Sequence, residues 1–138
     1  MNVQFTRTKK LEDTVELIRE DGAVERLTVS LDLDTVARGF LQKYNVLVSA
    51  HRTLRELQKR KKKAEFEQSA ALYGAIVIDL LELTFGKENA AKILEFYENG
   101  YFEMVQQIMP YITGRVLPAI REALKQQKNR LKRSFKQL

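Results

Sequence analysis

His51 is the one imidazole in this chain, and there is no cysteine. A histidine can act as a general base or a pH switch. No Ser or Cys nucleophile stands in a local motif beside it, and it falls on the apolar stripe of a long helix. Packing or hydrogen bonding is therefore its expected role. One histidine and no thiol exclude a multi-histidine metal site, thiolate ligands and disulfides within one chain. The lack of cysteine also fits an intracellular setting. Asp79 and Glu82 lie three apart on one helix face, with Glu88 and Glu95 beyond. Paired carboxylates can perform acid–base chemistry or hold a metal. Without a Glu-x-x-His ligand pattern, a solvated face or salt bridges to a basic strip are the expected use. Neither GxGxxG nor GxxxxGK[ST] occurs, and the lone Gly86-Lys87 pair carries no phosphate-loop signal. The expectation is a non-enzyme, with no catalytic, cofactor-binding or metal-binding residues.

Charge is the stronger signal. Residues 51–63 hold seven Lys/Arg against Glu56, and residues 121–138 hold seven against Glu122. Each block carries +6, as does the whole chain, so the remaining residues sum to −6. Two cationic strips on a neutral-to-acidic body suit a polyanion or the acidic face of another protein. The candidate contact residues are Lys59, Arg60, Lys61, Lys62 and Lys63 in the first block. In the second they are Lys125, Lys128, Arg130, Lys132 and Arg133. The first block can equally be a solvated helix end. Its cations suit the negative end of a helix dipole.

These residues need elements to hold them. A length of 138 residues suggests one compact domain with its own core. Its expected parts are a β-hairpin region over 1–33, a helical core over 34–120 and a basic helix or tail over 121–138. Strands over 14–20 and 23–31 flank Asp21-Gly22, which predicts a two-residue hairpin turn. Leu27, Val29 and Leu31 alternate with Thr28 and Ser30 to give one apolar face. Val3 and Phe5 suggest a third strand. Asp32 or Asp34 caps a first helix with Val36, Phe40, Tyr44, Leu47, His51 and Leu54 on its stripe.

A second helix runs from about Ala64 to Phe85, capped by Gly86. Its apolar run, Ala70 to Leu83, is shorter than a membrane span and is interrupted by Asp79 and Glu82, so no membrane partner is expected. A third helix covers about 87–98. A fourth begins near Tyr101 and includes Phe102, Val105, Ile108 and Met109, and Pro110 must kink or end it. The last helix begins near Arg115 with Pro118 in its first turn. Leu117, Leu124, Leu131 and Leu138 are seven apart, but Ile120, Gln127 and Ser134 make a poor second seam. The tail therefore reads as flexible, with order that depends on a partner. The fold class is mainly α (α+β), with an N-terminal β-hairpin or small antiparallel sheet packed on four to five helices.

Four segments have a familiar order. They are Phe40 to Asn45 (FLQKYN), Ile78 to Ala90 (IDLLELTFGKENA), Phe96 to Met104 (FYENGYFEM) and Met109 to Ile112 (MPYI). A helix ending in Phe85-Gly86, a short helix, the Asn99-Gly100 joint and an aromatic-led helix follow one another. This pattern resembles the tail assembly chaperones of long-tailed bacteriophages that infect Gram-positive bacteria, over residues 35–125. The resemblance implies a non-catalytic factor in the host bacterial cytoplasm, without cofactor. It would bind the tape measure protein, with the tail tube protein as a further contact and self-association as an option. The strongly basic tail has no clear counterpart in the pattern. It leaves nucleic acid as the alternative partner for the same cations.

Overall fold

A computed structural model describes residues 1–6 and 10–137. Strand β1 (Leu11–Ile18) pairs antiparallel with β2 (Val24–Leu31), Leu11 opposite Leu31 and Ile18 opposite Val24. Five residues connect them, where two were expected. The Gly22 N–H donates to the Arg19 carbonyl at 3.0 Å, and the Arg19 N–H donates to the Ala23 carbonyl at 2.9 Å. Only Gly22, at φ +88°, takes the left-handed conformation in this turn. Asp21 instead accepts from the Ala23 N–H at 2.9 Å, a local bond that favours a wider turn. The third strand is likewise absent among the described residues. Residues 1–6 form no regular element, and Val3 and Phe5 are exposed.

Helix α1 (Leu33–Lys59) is capped by Asp32, whose carboxylate accepts from the Thr35 N–H. It ends where Lys61 turns left-handed at φ +56°. The Lys62 N–H then reaches the Leu57 carbonyl, and the Lys61 N–H reaches that of Gln58. Those two bonds satisfy helix-end carbonyls that would otherwise lack donors. Helix α2 (Lys63–Phe85) follows at once. Gly86, at φ +84°, closes α2 and opens α3 (Lys87–Phe96).

Helix α4 (Tyr101–Tyr111) does not break at Pro110. It passes through a π turn (Ile112–Val116) directly into α5 (Leu117–Gln137), where a fresh start near Arg115 was expected. The Leu117 N–H donates to the Ile112 carbonyl, five residues back. Pro118 has no N–H, and its ring crowds the carbonyl four residues before it. A widened turn containing Gly114 takes up that mismatch without ending the helix.

Helix α2 is the centre of the domain and touches α1, α3, α4 and β2. By length and composition alone it could cross a bilayer. Here Tyr73, Val77, Leu80, Leu81 and Phe85 are buried against the other elements. The hairpin covers one side of this core with Leu27, Val29 and Leu31, as their alternation predicts. From α4 the fully buried side chain is Met104, while Phe102 remains half exposed. Helix α5 closes the far side of α1 with Leu117, Ile120 and Ala123.

Candidate partner-binding site

On the α1 stripe Leu47 and Leu54 are buried, whereas Val48 is partly buried and His51 is exposed. These residues form one side of a groove between α1 and α4. Leu47, Val48 and His51 line it from α1, Tyr73 from α2, and Phe102, Val105, Gln106 and Met109 from α4. This cavity is about 360 Å³ and mostly apolar. It continues past His51 and Phe102 into a second hollow of about 370 Å³, bounded by Leu54, Arg55, Gln58 and Phe66. From Leu47 to Gln58 the α1 wall is about 16 Å long at 1.5 Å per residue.

A buried tyrosine anchors the junction of the two hollows. The Tyr73 side chain is fully buried, and its hydroxyl shares a 3.1 Å hydrogen bond with His51 Nδ1. Burial pushes the phenol pKa above its ordinary value, because the phenolate would lose its hydration. The tyrosine therefore stays neutral and acts as a hydrogen-bonding anchor. Phe102 stacks on its ring at 5.4 Å between centroids, with the planes 18° apart. His51 is exposed, so of the two expected roles it is hydrogen bonding, to Tyr73, that the structure shows. The groove has apolar walls, the hydrogen-bonded His51–Tyr73 pair in its floor and a guanidinium, Arg55, at one end.

Neither Asp79 nor Glu82 lines this groove. Asp79 pairs with Lys43 at 3.7 Å, a cation outside both basic blocks. Among the described residues no cluster of three or more His, Cys, Asp or Glu is arranged to hold a metal.

The ten candidate cations do not form one surface. Lys59, Arg60, Lys61, Lys62 and Lys63 surround the joint between α1 and α2, all exposed. Arg60 approaches Glu56 and Lys62 approaches Glu65, each at 3.9 Å, contacts worth little at such exposure. The tail cations lie at the other end of α1. Gln127 donates to the Asp34 carbonyl at 3.0 Å, and Arg130 meets the Asp34 carboxylate at 3.3 Å. Asp34 and Lys59 are separated by about 38 Å along the helix.

The heptad leucines also divide. Leu117 is buried, Leu124 is partly buried and Leu131 is half exposed. Leu138 lies outside the described residues. Lys125, Lys128, Lys132 and Arg133 are exposed along α5, beside the uncovered Leu131 and Phe135.

A third polar cluster holds the scaffold together. Arg115 grips Asp13 with two hydrogen bonds of 3.0 and 3.1 Å, and the Tyr111 hydroxyl donates to the same carboxylate at 2.8 Å. These donors, Arg115 first, hold the Asp13 carboxyl below the usual carboxylate range. Burial and the Asp13 bond push the Tyr111 hydroxyl well above the usual phenol range. The three groups tie the hairpin to the π turn.

Sequence reasoning placed Leu47, His51, Tyr73, Phe102, Val105 and Met109 on apolar stripes. It did not place them around one groove. The available signal was the width of the α1 stripe, in which Val48 and His51 widen the row of the buried Leu47 and Leu54. Comparison with protein-family models, curated proteins and solved structures finds no match to this chain.

Proposed function

We propose that this protein is a non-catalytic phage tail assembly chaperone, acting in the host bacterial cytoplasm, that binds the tape measure protein and supports tail-tube assembly. The observation that carries the reading is the uncovered apolar groove between α1 and α4, beside the cationic end of α1. The resemblance of residues 35–125 to that family supplies the client. A long amphipathic protein exposes apolar stripes that aggregate before assembly. A small helical protein can cover such stripes by taking a client helix into a groove. Many copies along one rod would multiply weak contacts.

The test is co-expression with a long, helical tape-measure-type client. The client is expected to stay soluble and to co-purify with this chain. A client that is equally insoluble with and without it would overturn the reading, as would a housekeeping gene neighbourhood in place of a very large tape-measure-like gene downstream.

A second reading has its own support. From Lys128 onward α5 is exposed on all sides and carries Lys128, Arg130, Lys132, Arg133 and Lys136. Such a helix could lie along nucleic-acid phosphates. Binding would then weaken steeply with salt, and substituting these cations with Gln would reduce the slope. No binding at about 50 mM salt would remove this reading.

A further inference from the structure

We propose that the groove between α1 and α4 binds an amphipathic helix of about three turns whose acidic residues lie at the Arg55 end. The proposal rests on the chaperone reading only for the source of that helix. Its chemistry follows from the groove itself. The α1 wall, about 16 Å long, matches roughly three helical turns. Val48, Val105 and Met109, each partly buried, offer the client's apolar stripe a surface of matching character above the buried Leu47. Phe102, half exposed and stacked on Tyr73, provides an aromatic anchor of the kind that dominates binding energy at interfaces.

Charge orients the client. Arg55 lines the second hollow, and no Asp or Glu appears among the residues lining either half of the groove. Just past Gln58 the exposed run from Lys59 to Lys63 begins. An apolar helix carrying Glu or Asp at one end would bury its stripe and bring its carboxylates to Arg55. A helix with Lys there would meet like charge. A second copy of this chain is a poor occupant by its tail, because the exposed Leu131 and Phe135 travel with Lys128, Lys132 and Lys136.

The experiment uses the full chain and labelled peptides of about 14 residues, long enough to span the groove. One carries Leu at helical spacing with a Glu pair at one end. The second replaces that pair with Lys, and the third scrambles the apolar spacing. Fluorescence anisotropy is expected to favour the Glu peptide over the Lys peptide by on the order of tenfold at low salt, with the gap narrowing as salt rises. The scrambled peptide should bind far more weakly.

Arg55→Glu should invert the preference between the first two peptides, and Phe102→Ala should weaken both. Arg55 is exposed, so Arg55→Glu tests the site without touching the core. Equal binding of the Glu and Lys peptides, or a preference unmoved by Arg55→Glu, overturns the proposal. So does a dimer in sedimentation that Phe102→Ala dissociates, because a second copy would then fill the groove. If co-expression protects the client while the peptides fail to bind, the groove is wrong and the chaperone reading stands. If the peptides bind as described and co-expression fails, the chaperone reading falls and the groove stands.

Discussion

Replacing Gly74 with Ala tests how firmly α4, and with it one groove wall, is seated on α2. A Cβ at this buried position would lie 2.7 Å from Tyr101 Cε2, 3.1 Å from Cζ and 3.2 Å from Cδ2. Comfortable carbon–carbon contact is about 3.5–4.0 Å, so the ring must retreat by roughly 1 Å. Tyr101 is the first residue of α4, and its neighbour Phe102 stacks on Tyr73. Retreat of the ring therefore disturbs the groove. Overpacking of this kind costs about 1–3 kcal/mol. Against it stands the gain of Ala over Gly in a helix interior, about 1 kcal/mol. The net expectation is a destabilisation of about 1 kcal/mol, read as a lower midpoint in urea unfolding followed by circular dichroism. Gly39→Ala is the control, because its Cβ meets only Leu83 Cδ2 at 3.8 Å. That variant should gain about 0.5–1 kcal/mol. In a double-mutant cycle, Tyr101→Ala should remove the penalty of Gly74→Ala, with a coupling of about 1–2 kcal/mol. If Gly74→Ala stabilises the protein as much as Gly39→Ala does, the ring is not held against α2 and the reasoning fails.

Lys61→Gly should raise stability by up to about 1 kcal/mol, because Lys61 holds a left-handed conformation that glycine adopts without steric cost; an unchanged or lowered melting temperature contradicts this. Ile120→Ala should cost about 2–4 kcal/mol, whereas Leu131→Ser and Phe135→Ser should each stay within about 0.5 kcal/mol, since the first side chain is buried and the other two are largely exposed; thermal melts of the three variants separate packed from overhanging helix. Asp13 adds a pH dependence. Its folded pKa lies below the ordinary value, so its contribution is fully present above the unfolded carboxylate pKa of about 4 and disappears as pH falls through the folded value. Asp13→Asn should therefore be less stable than the parent at neutral pH and approach it in acid; a difference that persists undiminished at low pH would refute the assignment.

Local pattern carried most of the elements. The alternation of Leu27, Val29 and Leu31 named the buried face of the hairpin, and Gly86 named the end of α2. Both are consequences of nearest-neighbour geometry, period two in a strand and a left-handed cap after a helix. The turn at Asp21-Gly22 was located but mistyped, because a wide turn and a tight one use the same two residues. Pro110 predicts a kink or an end to the fourth helix, and Gly114 with Pro118 predicts a fresh start near Arg115 with Pro118 in the first turn. Each weakens the helix locally, but Leu117, Ile120 and Ala123 bury enough apolar surface on the domain to hold a continuous run with a π turn inside it.

By itself the sequence determined the fold class, the identity of most core-facing residues and the existence of two cationic blocks, since composition and periodicity are local properties. It also contains neither a GxGxxG nor a GxxxxGK[ST] pattern. Only the tertiary structure decided that the blocks lie at opposite ends of α1, because that separation depends on α5 running back along α1 to bring Arg130 to Asp34. Only it decided that His51, Tyr73 and Phe102, on three different helices, meet around one apolar groove beside Arg55. Contacts between residues 22 and 29 positions apart follow from how helices cross, and no spacing within one segment encodes that crossing.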